Sequence, residues 1–333
     1  MPARARLSPP AGDRLNDGSL REYVESSLLP LMGIKGRPFE LHPAGPGTRT
    51  APTLIRIEGM PPLLLRAFPR RRQAVKNAEA LRHLDALGLP APRLVAHDLS
   101  VPARLVGASS TRPFITVETW IEGTTHADLP EPEPARTAAL DVARLLARFH
   151  AVTRPRWGRP EGSRFRPFPS HTLLGVRRMC RALERHGWID PEEARAAGAR
   201  FESWRDTLCG IETYSLVHND ANRRNFVVGP QGEIVAVDLH RVAYEPFAEE
   251  LVNALYHFGR KDEALASSFQ EAYFEVAGPE ALRWFGAMRR FFEPLNYLKK
   301  MYRRAVSGKT LGSEDEKMAA WRRVALSIGS PSA

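Results

Sequence analysis

Cysteine is scarce in this chain: Cys180 and Cys209 stand far apart among 333 residues. They form no C-x-x-C pair, which excludes a disulfide framework or a thiolate zinc site and makes a reducing cytoplasm the expected compartment. Long apolar runs are missing too. No stretch of about eighteen apolar residues occurs, so no transmembrane helix is expected, and any attachment to the inner membrane face would be peripheral. The N-terminus, MPARARLSPPAGDRLNDG, is basic but lacks the apolar core of a secretory signal, and residues 1–19 read as a loose tail. Internal repeats are absent. So is the basic-aromatic interleaving of a nucleic-acid reader, and nucleic acid is not the expected partner despite a pI near 10.

What is present is the composition of a folded protein, 43% hydrophobic and 26% charged, with length enough for two cores. The net charge of +10 is unevenly placed. Residues 209–333 hold 16 basic and 16 acidic side chains, so the whole excess lies earlier. Between residues 153 and 186, nine arginines stand against two glutamates. This segment, Arg154–Arg185, reads either as a solvated face or as a surface for an anionic partner.

Hydrophobic periodicity divides the chain. LREYVESSLLPLMG reads as a short amphipathic helix. TLIRIEG and PPLLLRAF read as strands joined by a tight turn, and LPAPRLVAHD and RPFITVETWIEG as further strands. RRRQAVKNAEALRHLDALG is helical by period, with Gly88 as its stop. After Gly123 the pattern becomes helical, interrupted by two short apolar strands around residue 220. The expected fold class is α+β, with a small β-rich N-terminal lobe over 20–120 and a larger, mostly helical C-terminal lobe over 121–333. The cleft between two such lobes is the expected ligand site.

The chemistry concentrates in VHNDANRRNFVV, residues 217–228. Apolar residues pin both ends of a polar loop, which fixes the separation of Asp220 and Asn225. A second apolar run, IVAV, ends on Asp238. Two carboxylates and an amide oxygen are hard donors that suit Mg²⁺ carrying substrate phosphates. Phosphoryl transfer from a nucleotide such as ATP needs these parts: Asp220 to orient and deprotonate an attacking hydroxyl, Asn225 and Asp238 to hold the metal, and His218 as a structural member of the loop. His-x-Asp-x-x-x-x-Asn is also the catalytic-loop pattern of protein kinases. The plainer alternative is a polar turn between core strands, with Asp220 and Asn222 as turn formers.

Upstream, the same chemistry asks for phosphate-covering glycines, a basic strand residue and a helical acid. Gly45 and Gly47 lie in a G-P-G loop that is also a plausible plain turn. Arg66 stands on the strand Leu63–Ala67, and Glu79 on the next helix is its expected ion-pair partner; the alternative is an ordinary surface pair. Backbone groups around Glu118–Trp120 are placed to read an adenine edge, unless VETWIEG is only a strand ending in a turn. Arg223 and Arg224 in the loop, and His240 and Arg241 after Asp238, read as acceptor or phosphate contacts or as loop packing. His150 reads as a helix C-terminal dipole partner.

Together, the glycine loop, basic strand residue, helical Glu79, W-I-E-G connector, HNDANRRN loop and AVDLHR resemble the aminoglycoside phosphotransferase / choline kinase family of protein kinase-like folds over residues 40–260. The resemblance implies ATP and Mg²⁺ as cofactors, Asp220 as catalytic base, and Asn225 and Asp238 as metal ligands. Unlike a protein kinase, the chain has Asn222 two places after Asp220 and only HRVAYEP between Asp238-Leu239 and the next helix. No peptide-docking activation segment fits there, so the expected acceptor is the hydroxyl of a small molecule or glycan. An arginine-rich surface repels polycations, which makes a neutral or anionic acceptor the expectation. DLHR is similar to the IDLHR of lipopolysaccharide-core sugar kinases, one alternative. Arg66 in place of the family's lysine leaves another, a degenerate nucleotide-binding pseudokinase.

Overall fold

The structure, a computed structural model, describes residues 17–44, 52–99, 114–130, 132–162, 167–260, 262–307, 315–329 and 331. The tail expected over 1–19 lies almost wholly outside these residues, as do Gly45 and Gly47. The chain forms two compact units, Met1–Gly123 with Gly229–Arg241, and Thr124–Val228 with Val242–Ala333. The segment carrying Asp238, expected with the C-terminal lobe, therefore groups with the N-terminal one.

The first unit is built on an antiparallel sheet of order β1-β2-β3-β5-β4. Its strands are β1 (Phe39–Pro43), β2 (Thr53–Ile57), β3 (Leu63–Phe68), β4 (Leu94–Asp98) and β5 (Phe114–Thr119). Side chains alternate across the pleat. Ile55, Ile57, Leu63, Leu65, Ile115 and Val117 share one face and bury Leu20, Tyr23, Val24, Leu28 and Leu29 against it. Those residues come from α1 (Asp17–Tyr23), a π-helical stretch (Val24–Leu28) and α2 (Leu29–Leu31). The hydroxyl of Tyr23 donates to Asp98 Oδ2 at 2.9 Å and ties this helix to β4. The opposite face, carrying Arg66, Thr116 and Glu118, receives α3 (Arg71–Ala86) through Asn77. Gly88, at φ 63°, ends α3 where its sequence position predicts. Within the same unit β10 (Ile234–Ala236) is tethered by the Ala236 N–H to the Pro90 carbonyl at 3.2 Å.

The second unit is mostly helical. It contains α4 (Glu133–His150), α5 (Phe168–Arg185), α6 (Pro191–Glu202), α7 (Arg205–Cys209), α8 (Phe247–Gly259), α9 (Glu263–Val306) and α10 (Asp315–Leu326). β6 (Thr124–Thr125) pairs with β9 (Phe226–Val228), while β7 (Thr153–Arg154), β8 (Tyr214–Val217) and β11 (Ala243–Glu245) form a small antiparallel sheet of order β11-β8-β7. α9 breaks at Gly278, whose φ of 85° is outside helical space. The sequence FEVAGPEAL shows why: glycine takes the left-handed turn and Pro279 starts the next helix.

Glu250 of α8 is buried in the middle of this unit. Its Oε2 accepts from the His218 N–H at 2.7 Å and pairs with His150 Nε2 at 3.0 Å; its Oε1 accepts from the Asn219 N–H. His150 Nδ1 meets the Tyr273 hydroxyl at 2.7 Å. His150, the last residue of α4 as expected, is thus also a core bridge between α4, α8 and α9. Burial alone would raise the Glu250 carboxyl. The hydrogen bond and charge of His150, with the groups of His218, outweigh it and hold the carboxyl below its ordinary range.

Arg154 donates to the carbonyls of Arg156, Arg159, Pro160 and Gly162 and lies 4.0 Å from the Tyr244 ring centroid. Arg177 pairs with Glu202. These two guanidiniums organise their own loop and helix pair.

Two predictions follow from this packing. Glu250→Gln sets an amide N–H₂ against backbone donors and should lower stability by about 3–5 kcal/mol in urea unfolding. Because the folded carboxyl titrates below its unfolded value, Glu250 stabilises the fold above about pH 4.3 and the contribution is lost as pH falls through the folded pKa. The variant should lose that part of the acid transition. At the helix break, a Cβ on Gly278 meets nothing within 4 Å but must adopt φ 85°, so Gly278→Ala should cost about 1–2 kcal/mol. Gly286→Ala, also unobstructed but with no such φ, should stabilise by about 0.5–1 kcal/mol. A urea midpoint that moves the same way in both would contradict the assigned break.

Candidate active site

β8 delivers four buried residues and then releases the chain into the polar loop. His218 is fully buried, its ring 5.6 Å from that of Phe226. Asn219 sits at φ 67°. Asn, with a short polar side chain, tolerates this left-handed geometry better than most residues. The turn points the N–H groups of His218 and Asn219 at Glu250 and sends the chain out again at Asp220.

The loop then winds around one carbonyl. Asp220 O accepts from the Asn222 N–H at 2.8 Å, Asn225 Nδ2 at 2.8 Å and Asn222 Nδ2 at 3.1 Å. Asn222 Oδ1 caps the short 3₁₀ turn Arg223–Asn225 by accepting from the Arg224 N–H at 3.0 Å. Asn222 is therefore a turn former, as the plainer reading held. The Asp220 side chain, by contrast, lines a cavity of about 820 Å³ within the second unit, together with Arg223, Arg224, Tyr256, His257 and Lys300. Arg223 is oriented by its Nε–H, which donates to His126 Nδ1 at 3.1 Å, while His126 Nε2 donates to the Ala135 carbonyl at 3.0 Å. Arg224 is exposed.

In the first unit, the register that opposes Arg66 to Thr116 and Leu64 to Glu118 brings Arg66 and Glu118 onto the α3 face. Arg66 Nε donates to Glu118 Oε1 at 2.8 Å and its Nη1 to Asp238 Oδ1 at 3.2 Å. Asn77 Nδ2 donates to Glu118 Oε2 at 3.1 Å. Burial opposes the Arg66 charge, but Glu118 and then Asp238 overcome it, so the guanidinium holds its proton more tightly than usual. Arg66 is only 11% exposed, and its ion pairs are with Glu118 and Asp238. This corrects both the expected Arg66–Glu79 pair and the surface-pair alternative; Glu79 is itself buried on α3. The adenine-reading role expected around Glu118–Trp120 narrows as well. The N–H groups of Thr119 and Trp120 donate to the carbonyls of Arg93 and Pro62, and the Glu118 side chain is a buried anchor.

Asp238 is the second non-glycine residue with positive φ, 62°, among the described residues. His240 Nδ1 lies 3.0 Å from Asp238 Oδ1, which makes His240 a partner of that carboxylate; Arg241 is exposed. Each unit supplies hard oxygen donors of the kind magnesium takes. In the second, the Asn225 amide commits its N–H₂ to Asp220 O, which leaves Oδ1 as its acceptor end; in the first, Asp238 offers a carboxylate. Thus His218, Asp220, Arg223, Arg224 and Asn225 are assembled in the second unit, and Arg66, Glu79, Glu118, Trp120, Asp238, His240 and Arg241 belong to the first.

Sequence reasoning missed Glu250, Asn77, His126 and Lys300. A signal existed for Glu250: it shares the buried stripe of α8 with Leu251, Ala254 and Phe258, where an acid needs partners.

The chain matches the model of the phosphotransferase enzyme family over residues 45–285. A search of curated protein sequences gave no match. Among solved structures, aminoglycoside phosphotransferase APH(4)-Ia is similar with a TM-score of 0.62 and 17% identity, covering 94% of this chain and 100% of that one. The choline kinase LicA from Streptococcus pneumoniae is similar with a TM-score of 0.58 and 14% identity, over 92% of this chain and 98% of that one. At such identities these neighbours establish a protein kinase-like fold, the α+β class expected from the sequence. With the family model spanning most of its length, the chain belongs to the phosphotransferase enzyme family.

Proposed function

We propose that the chain transfers the γ-phosphoryl group of ATP, with Mg²⁺, to a hydroxyl of a small molecule or glycan that is neutral or anionic. The observation that carries this reading is the loop itself: Asp220 faces a cavity while its backbone is fixed by Glu250, Asn222 and Asn225. A base held this way approaches an acceptor hydroxyl without reorganising. The acceptor oxygen attacks the γ-phosphorus, its proton passes to Asp220, and the bond to the β,γ-bridging oxygen breaks to release ADP. Bound Mg²⁺ would neutralise the phosphate charge, with Asn225 and Asp238 as the residues to hold it. Arg66, anchored by Glu118, positions Asp238 and faces the charge of the phosphates. A thermostable mutant of APH(4)-Ia forms a ternary complex with ADP and hygromycin B, which supports a nucleotide and a small-molecule acceptor in this fold. The lipopolysaccharide-core sugar kinase alternative is one case of such an acceptor.

The test is ADP release and product formation with a panel of alcohols. Asp220→Ala should lower kcat by about 10²–10⁴-fold and leave ATP affinity within about twofold, since a general base acts on the proton rather than on the nucleotide. Asp238→Ala should instead weaken MgATP binding, read by thermal shift. Full turnover in Asp220→Ala would contradict the assigned base. Stabilisation by MgATP with no transfer to any alcohol would favour the degenerate nucleotide binder.

A further inference from the structure

We infer that the acceptor already carries a phosphate monoester, and that Lys300 and Arg303 hold this dianion in the cavity beside Asp220. The inference rests on the reading of Asp220 as base toward an acceptor hydroxyl, and names the class of that acceptor.

Among the described residues, the cavity is lined by the second unit. Six of these lining residues are cationic, Arg223, Arg224, Arg260, Lys300, Arg303 and Arg304, against the carboxylate of Asp220. Lys300, Arg303 and Arg304 stand at i, i+3 and i+4 of α9, where like charges repel and weaken a helix. Three such residues aimed at one hollow serve something other than helix stability. Lys300 is half-buried. Its Nζ donates to Asn253 Oδ1 at 3.1 Å and lies 3.8 Å from the Tyr256 ring centroid, and neither contact cancels its charge. Arg260 is braced on the same tyrosine, with a bond to its hydroxyl at 2.8 Å. Among the described residues neither Lys300 nor Arg303 has an ion-pair partner.

The neighbouring titrations carry the same sign. Burial, then Arg303 and Arg260, push Lys300 down to about 7, against the opposing pull of Asp220. Burial, then Lys300, push His257 down to about 4. The described residues therefore place a positive field in the cavity, and Lys300 and Arg303 stand in it without an ion-pair partner among them. A polycationic acceptor is repelled there, and a neutral one leaves the repulsion in place. A phosphate dianion offers two charges and three acceptor oxygens, which match an ammonium beside a planar guanidinium. A carboxylate offers half the charge.

The test titrates the full chain, without Mg²⁺ or nucleotide, with glucose, glucosamine, glucuronate and glucose 6-phosphate. These share a hexose skeleton and differ in charge. Glucose 6-phosphate should bind about tenfold or more tightly than the other three. Lys300→Met and Arg303→Met should each weaken it by about tenfold, and Arg156→Met, on the exposed arginine-rich loop, should not. Lys300→Met removes a half-buried charge from among like charges, so it should melt no lower than the parent protein; lost binding then does not mean lost folding. Equal affinity for glucose and glucose 6-phosphate, tighter glucuronate binding, or unchanged phosphate affinity in both methionine variants would overturn the proposal. Phosphate-selective binding that Lys300→Met abolishes, with no transfer from MgATP to any member of the alcohol panel, phosphorylated or not, would sink the phosphotransferase reading and leave the anion site standing. Transfer to glucosamine without phosphate-selective binding would do the reverse.

Discussion

The carboxylate of Glu250 receives two consecutive backbone N–H groups, those of His218 and Asn219, and a ring nitrogen of His150. Consecutive N–H groups face one acceptor only where the chain reverses its hand, and Asn219 does this at φ 67°. That conformation costs about 1–2 kcal/mol for an ordinary residue and less for asparagine. A buried carboxylate with charge-assisted bonds offsets it. Without Glu250 the loop loses the carboxylate that turns its entry at His218 and Asn219, and only the bonds of Asn222 and Asn225 to the Asp220 carbonyl described above remain to shape it. The geometry proposed for catalysis thus hangs on a buried residue of α8.

The first unit solves a parallel problem with an arginine. One guanidinium reaches Glu118 with Nε and Asp238 with Nη1. An ammonium is a single point and would have to choose, whereas the planar fork presents donors along two directions. Asn77 closes the arrangement by holding the other oxygen of Glu118. Arg66 therefore belongs to a buried network in which every carboxylate oxygen named has a donor, the condition under which buried charge is tolerated. Its departure from lysine is compensated locally, which argues for a working variant of the site rather than a decayed one.

Much of this was legible. The apolar triplets flanking the loop, the run ending on Asp238, the stop at Gly88 and the break at Gly278 each follow from a short-range rule, and the structure keeps them. What was not legible depends on distance in sequence. Glu79 and Glu118 were both reachable acids for Arg66, and only strand register decides between them: Arg66 lies opposite Thr116, next to Glu118 on the same face. Glu250 is some thirty residues from the loop that it pins. The arginine-rich stretch drew attention by count, yet Arg154 turns its donors onto its own loop. The balanced charge of residues 209–333 had the opposite effect: an average of zero concealed Lys300, Arg303 and Arg304 gathered on one helical face.

The places where local rules are broken are the places where chemistry is expected. Among the described residues, the non-glycine positions with left-handed backbone are Asn219 and Asp238, one beside the candidate base and one a candidate metal ligand. The like-charged cluster on α9 is a third breach, and it differs in kind. The first two store backbone strain that neighbouring hydrogen bonds relieve within the protein. The third stores electrostatic repulsion, which among the described lining residues only the single negative charge of Asp220 opposes. Strain relieved internally fixes a shape. Repulsion relieved only from outside selects a ligand, because the free energy recovered on binding depends on the charge that the ligand brings. On this argument the loop and the candidate metal ligands would serve the proposed phosphoryl transfer, while the charge on α9 would select which alcohols enter it.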